Sequence, residues 1–220
     1  MIIAIDGTSA SGKGTLAKRL QETFNAAYLD TGALYRTVGL LALQQKADMT
    51  SEVQMAEIVQ QLSPKQLLKF QEDPQIRTQE VATAAATVAA MPQVRQGLLA
   101  AQRHFAEHPV RADGTPTDVA ILDGRDIGTV VCPQASAKVF LTASAEIRAE
   151  RRLKELQERG KCAIYATVLS EVKARDLRDS TRATSPLVPA KDAFVLDTSD
   201  LTADEVYDKV YAYICSVSET

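Results

Sequence analysis

Three cysteines, Cys132, Cys162 and Cys215, are too few, too scattered and odd in number for a disulfide framework or a metal site. They read as packed or exposed thiols of a reducing compartment, and a cytoplasmic location is the expectation. No apolar run approaches the length that spans a bilayer, and no charged leader with an apolar segment precedes the first strand pattern. A soluble protein is expected. Positive charge is not in excess either: a net charge of -3 and a pI near 5.5 argue against general binding to nucleic acid or to an anionic lipid surface. Internal repeats and low-complexity tracts are missing. What is there, 220 residues of which 45% are hydrophobic, suffices for one sizeable core carrying an insertion.

The most informative stretch is Gly7-Thr8-Ser9-Ala10-Ser11-Gly12-Lys13-Gly14-Thr15. Its Gly-x-x-x-x-Gly-Lys spacing is that of a phosphate-binding loop, in which glycines let backbone N–H groups turn toward phosphate oxygens and the lysine adds a point charge. A strand should precede such a loop and a helix should follow. Ile2-Ile3-Ala4-Ile5 supplies the β-branched run, and Leu16, Leu20 and Phe24 recur every fourth residue behind the loop. A helix N-terminus there adds partial positive charge. Gly14 stands where the usual motif has a hydroxyl that holds Mg²⁺. The form Gly-Lys-Gly-Thr looks like that of nucleoside monophosphate kinases, in which phosphates and water hold the metal, and it disfavours switch GTPases.

Further along, Ala26-Ala27-Tyr28-Leu29 reads as a second strand, followed by a helix through Leu34, Val38 and Leu41. Ser51 with Gln54 caps a helix reaching about Leu62. The pattern fails from Ser63 to Pro74, where Leu67-Leu68-Lys69-Phe70 is compatible with a strand or a helix end. Helices are expected from Ile76 to Ala90 and after Met91-Pro92, then a surface loop over residues 111–116. Val119-Ala120-Ile121-Leu122-Asp123 is a buried-type third strand, Lys138 to Leu141 a fourth and Phe194-Val195-Leu196 a fifth. Helices are expected over 145–159, over 167–181 and behind a Thr202–Glu205 cap. The alternation predicts an α/β fold: a five-stranded parallel sheet covered by helices on both faces, with ligands at the carboxyl ends of the strands. Residues 1–30 and 113–220 would form a P-loop core with a short lid near 153–166, and residues 31–112 a mostly helical insertion.

Charge collects where these strands end. Asp30-Thr31-Gly32-Ala33-Leu34-Tyr35-Arg36 can present Arg36 to an anion, although alone it reads equally as a solvated arginine. Asp123-Gly124-Arg125-Asp126 crowds two acids and an arginine at the end of a buried strand, more charge than a turn needs. Arg148 and Arg152, with Arg151 between, share a helix face, which suggests either an anion between them or pairing with Glu150 and Glu155. Arg175, Asp179 and Arg182 fall on one helical stripe beside Arg178, with Asp176 available to balance them. Arg95 stands alone on an apolar-faced helix.

The loop, Asp30 to Arg36, Ile76-Arg77-Thr78-Gln79-Glu80-Val81, Leu122-Asp123-Gly124-Arg125-Asp126-Ile127-Gly128-Thr129-Val130-Val131 and Arg175-x-x-x-Asp179-x-x-Arg182 together resemble the bacterial cytidylate kinases across essentially the whole chain. The resemblance implies a P-loop NTPase fold with an inserted NMP-binding domain, and ATP-dependent phosphorylation of CMP or dCMP by a monomer. It places ATP phosphates on the loop with Lys13 at the transferring group, and CMP phosphate on Arg36 and Arg125, with Thr31 in the acceptor site. Ribose falls near Arg175 and Asp179, and cytosine is read by Arg95, Asp126 and Arg182. Arg148 and Arg152 look like lid arginines, Arg125 and Arg152 acting in catalysis, and Mg²⁺ has no dedicated protein ligand. The chain departs from the family at Ala86, where a serine usually stands, and in a shorter 63–74 region. Shikimate, gluconate or dephospho-coenzyme A kinases share the fold without needing Arg95 or the Arg175 to Arg182 stripe. A non-kinase switch should carry a guanine-reading Asn/Thr-Lys-x-Asp, which is absent.

Overall fold

The computed structural model describes residues 1–63, 66, 69–71, 73–182 and 184–218. Its sheet contains β1 (Ile2–Gly7), β2 (Ala27–Asp30), β3 (Ala120–Gly124), β4 (Ala137–Thr142) and β5 (Phe194–Asp197), all parallel, in the order β2-β3-β1-β4-β5. The chain leaves β1 for the β2 edge and later returns on the other side of β1 as β4. The carboxyl end of β1 is therefore the switch point of the sheet, where doubly wound folds open a ligand crevice.

Eight α-helices lie wholly within the described residues: α1 (Lys13–Phe24), α2 (Thr31–Gln44), α3 (Glu52–Gln60), α4 (Gln79–Val88), α5 (Pro92–Glu107), α6 (Ala145–Glu158), α7 (Tyr165–Thr181) and α8 (Ala203–Ser218). Their starts follow from side chains that accept orphan backbone N–H groups. Asp30, Ser51, Thr78 and Ser144 cap α2, α3, α4 and α6, and Thr202 and Glu205 cap α8 reciprocally. Helix α1 is different, since its N-cap Gly12 offers no side-chain acceptor.

The pleat of the strands sorts apolar residues onto two sides. Ile3, Ile5, Ile121, Val139 and Leu141 pack with Leu16 and Leu20 of α1 and with Val206, Val210 and Ile214 of α8. Ala4, Leu29, Ala120 and Leu122 face the other way and pack with Leu34 and Val38 of α2, Met55 and Ile58 of α3, and Val94 and Leu98 of α5. Helices α2, α3 and α5 thus supply one of the two helical layers over the sheet and share its apolar cluster.

Two expectations need correction. The helix expected from Ile76 to Ala90 is a 3₁₀ turn over Pro74–Arg77 and then α4, because the extended Thr78 (ψ 158°) interrupts it as the N-cap. Arg182 does not continue the stripe of Arg175 and Asp179, since α7 ends at Thr181 and Arg182 turns away with ψ 139°. Helix α6 continues to Glu158 and α7 begins at Tyr165, so two helices joined by residues 159–164 make a hairpin with its own apolar contacts through Ala149, Val168 and Val172. The doubtful strand or helix end at Leu67-Leu68-Lys69-Phe70 lies partly outside the described residues, and Lys69 and Phe70 are helical.

Candidate active site

The loop after β1 is built by its main chain. Gly7 has φ 146°, and a Cβ there would stand 2.0 Å from the carbonyl oxygen of Leu141, so only glycine lets β1 pass this close to β4. Ala10 (φ 61°) and Gly12 (φ 96°) are also left-handed, which turns the intervening backbone into a concave nest. Lys13, 7% exposed, folds back over the loop and donates to the carbonyls of Gly7 at 3.0 Å and Thr8 at 2.7 Å. Thr198 braces the loop from behind by donating to the carbonyl of Ser11, and Arg151 donates to Thr198 in turn. The Thr8 hydroxyl is buried with no protein partner. Burial lowers the Lys13 pKa to about 7, with Arg125 adding repulsion, while Asp123 opposes the shift.

Asp123 ends β3 beside this lysine, buried, and burial raises its carboxyl to about 6 despite the attraction of Lys13. The Tyr28 hydroxyl donates to it at 3.1 Å, and Thr31 donates to its main-chain carbonyl at 2.8 Å. Thr31 is thus buried beneath the site as a brace between α2 and β3.

Across the crevice the charged groups meet as pairs. Arg125 donates through Nε to Asp179 at 3.0 Å, and Arg175 approaches the same carboxylate at 3.8 Å. Arg175 keeps 46% of its side chain exposed, yet lost hydration in the crowded cleft, then Arg125, lower its pKa to about 10. Arg36 donates to the carbonyl of Ile76 at 3.0 Å, and burial, then Arg77, lowers its pKa. Arg77 itself pairs with Asp30 at 3.1 Å. Deeper in, Arg95 is 8% exposed and binds the Asp126 carboxylate at 2.5 Å beneath the Tyr35 ring. Arg182 comes within 4.0 Å of the other Asp126 oxygen, and one of its terminal nitrogens is buried without a partner. Ala86 lies on α4 and is half-buried.

The lid arginines behave differently from one another. Arg148 is 3% exposed and grips Asp176 of α7 with both terminal nitrogens while donating to the Ser9 carbonyl at 3.3 Å. The repulsion expected between Arg148 and Arg152 is therefore met by a carboxylate from the neighbouring helix and needs no anion. Arg152 pairs with Glu155 at 2.6 Å, the bland alternative for that residue. Sequence reasoning missed Asp176 as the Arg148 partner, Tyr28, Thr198 and Asp6. The missed signal for Asp6 was its position: a lone acid after Ile2-Ile3-Ala4-Ile5 is buried with the strand and must be satisfied from elsewhere.

So many guanidinium groups around one phosphate loop suit an enzyme that holds two anions together, and fold and site define a P-loop phosphotransferase. The chain belongs to the cytidylate kinase family, whose sequence model matches residues 3–216. The cytidylate kinase of Paramagnetospirillum magneticum is 54% identical over 94% of this chain and 93% of its own length. Cytidylate kinase 1 of Haemophilus influenzae is 46% identical, covering 97% of this chain and 93% of its own. Among solved structures, a gluconokinase from Sinorhizobium meliloti shares the fold with a TM-score of 0.51 at 14% identity, over 99% of this chain and 93% of that one. No helix among the described residues is long and apolar enough to cross a membrane.

Proposed function

We propose that this chain moves the γ-phosphoryl group of ATP onto the phosphate of CMP or dCMP, giving ADP and CDP or dCDP, and that it acts as a monomer. The observation that carries the choice of base is the buried Arg95, Asp126 and Arg182 cluster. Asp126 has one oxygen committed to Arg95 at 2.5 Å and the other turned toward Arg182 at 4.0 Å, leaving an acceptor for an exocyclic amino group. The unpartnered nitrogen of Arg182 is a donor for a ring carbonyl. Uracil presents a carbonyl where cytosine presents the amino group, which would set two acceptors against each other.

ATP fits the donor loop, where the nest, the uncapped start of α1 and the Thr8 hydroxyl offer unpaired donors to phosphate oxygens. Mg²⁺ fits through oxygen donors alone, Asp123 being the nearby carboxylate, and would neutralise charge developing between the β- and γ-phosphates. Lys13 has a side chain long enough to swing from the Gly7 and Thr8 carbonyls to the transferring group. Arg125 and Arg36 receive the acceptor phosphate, and Arg175 and Asp179 the ribose. An acceptor phosphate is already ionised at neutral pH, so no general base is needed. The loose transition state asks for alignment and charge compensation, and Arg152 on the hairpin is placed to close over it.

The test is the kcat/KM ratio for CMP over UMP. Asp126→Asn, whose amide can turn to donate, should narrow it roughly tenfold, mainly by lowering the CMP value. An unchanged ratio would remove Asp126 from base reading. A panel containing gluconate, shikimate and dephospho-coenzyme A, followed by ADP release, tests the wider acceptor class.

A further inference from the structure

Asp6 is the only charged residue of β1 and is 4% exposed. Its two carboxylate oxygens accept from two consecutive backbone N–H groups, Ile127 at 2.8 Å and Gly128 at 2.7 Å. Those N–H groups open the short turn over Ile127–Val131, directly after Asp126. The turn closes on itself, since the Asp126 carbonyl accepts from Val130 and Val131. Arg103 holds its far end by donating to the carbonyls of Val130 and Val131. Asp6 holds the near end, and with both oxygens engaged its carboxylate has one orientation. The next residue in the chain is Gly7, where the phosphate loop begins. One residue thus starts the donor loop with its main chain and fastens the base-reading turn with its side chain.

We propose that Asp6 is a positioning residue that fixes the place of Asp126 and so sets base discrimination, holding the base site in register with the donor loop. The proposal rests on the reading of Asp126 given above. Without the carboxylate, two buried N–H groups lose a charged acceptor, and the turn is free to shift against Arg95. Burial raises the Asp6 carboxyl to about 6, the two N–H bonds and Lys13 opposing and the Asp126 charge adding. The Lys138 stem lies against Gly128 on the β4 side. Protonation below that pH turns one acceptor into a donor and releases one of the two N–H groups.

Asp6→Asn keeps the volume and one acceptor. It should lower the CMP over UMP ratio of kcat/KM roughly tenfold, through KM for CMP, while KM for ATP stays within about twofold. A purely structural Asp6 would lower the unfolding temperature and leave the ratio intact, which overturns the proposal. The Asp6→Asn/Asp126→Asn double variant should match Asp126→Asn alone, because both act through one carboxylate. Multiplying effects would overturn the clamp. If Asp126→Asn narrows the ratio and Asp6→Asn does not, the clamp alone falls; if Asp126→Asn leaves the ratio unchanged, the base reading falls and the clamp with it. Should Asp6→Asn fail to fold, the wild type supplies the readout. Its ratio, in which the titration of the acceptor phosphate cancels, should decline between pH 8 and about 5.5. A flat profile overturns the proposal.

Discussion

The two ends of the crevice hold their anion-binding groups in different ways. At the donor end the backbone does it: Gly7, Ala10 and Gly12 are left-handed, Gly7 passes under the Leu141 carbonyl, and Lys13 is tied to two loop carbonyls. At the end proposed to take the acceptor side chains do it, as ion pairs: Arg125 with Asp179, Arg95 with Asp126 and Arg77 with Asp30. A main-chain nest needs no rearrangement to receive phosphate. An arginine paired with a carboxylate must exchange one acceptor for another, so the acceptor end can discriminate among ligands by which exchange is favourable.

Lys13→Ala tests the donor end most severely. Turnover should fall by ~10²-fold or more while CMP affinity stays within about twofold, because this charge serves the transferring group. A fall under about fivefold in steady-state kinetics removes Lys13 from that role.

Arg125→Ala and Arg36→Ala test the exchange at the acceptor end. Each should weaken CMP by roughly ten- to a hundredfold and cytidine far less, the Arg125 change reaching the nucleoside only through Asp179, as read by calorimetry. Equal losses for nucleotide and nucleoside would break the assignment of both residues to phosphate.

A smaller effect is a proton. With its pKa lowered to about 7, Lys13 holds its proton less firmly in the folded protein than in the unfolded chain. Its folded form therefore binds fewer protons than the unfolded chain between about pH 7 and 10.5, and this group's contribution to stability rises with pH across that window. ATP should restore the charge, so binding at pH 8 should take up as much as about one proton, fading toward pH 6. Calorimetry in buffers of different ionisation enthalpy measures it, and Lys13→Met should abolish it.

The smallest change expected is at Ala86. Ala86→Ser adds a hydroxyl on α4 and should widen the CMP over UMP preference by about twofold. A narrowing would mean that α4 takes no favourable part in reading the base.

Much of this architecture was legible because its causes are local. The phosphate loop is a spacing, the buried strands are apolar runs, and the caps at Ser51 and Thr202 are pairs three residues apart. Pairs formed across the fold were not legible. Helical spacing put Arg148 beside Arg152, but the partner of Arg148 is Asp176, 28 residues on, on a helix whose packing no local pattern specifies. The same limit hid Tyr28, which reads as an ordinary strand residue until β3 is laid alongside, and the partners of Asp6, whose burial alone the sequence signals. Arg182 failed for a smaller reason, one residue of helix length, which is the accuracy to which helix ends can be read.

The sheet divides the core into parts that carry different groups of the site. The cluster around α1 and α8 lies behind the helix that follows the phosphate loop, the cluster around α2, α3 and α5 lies behind Arg36 and Arg95, and Arg175 and Asp179 ride on the separate contacts of Ala149, Val168 and Val172. A cavity opened in one cluster should loosen first the groups carried on its own side of the sheet.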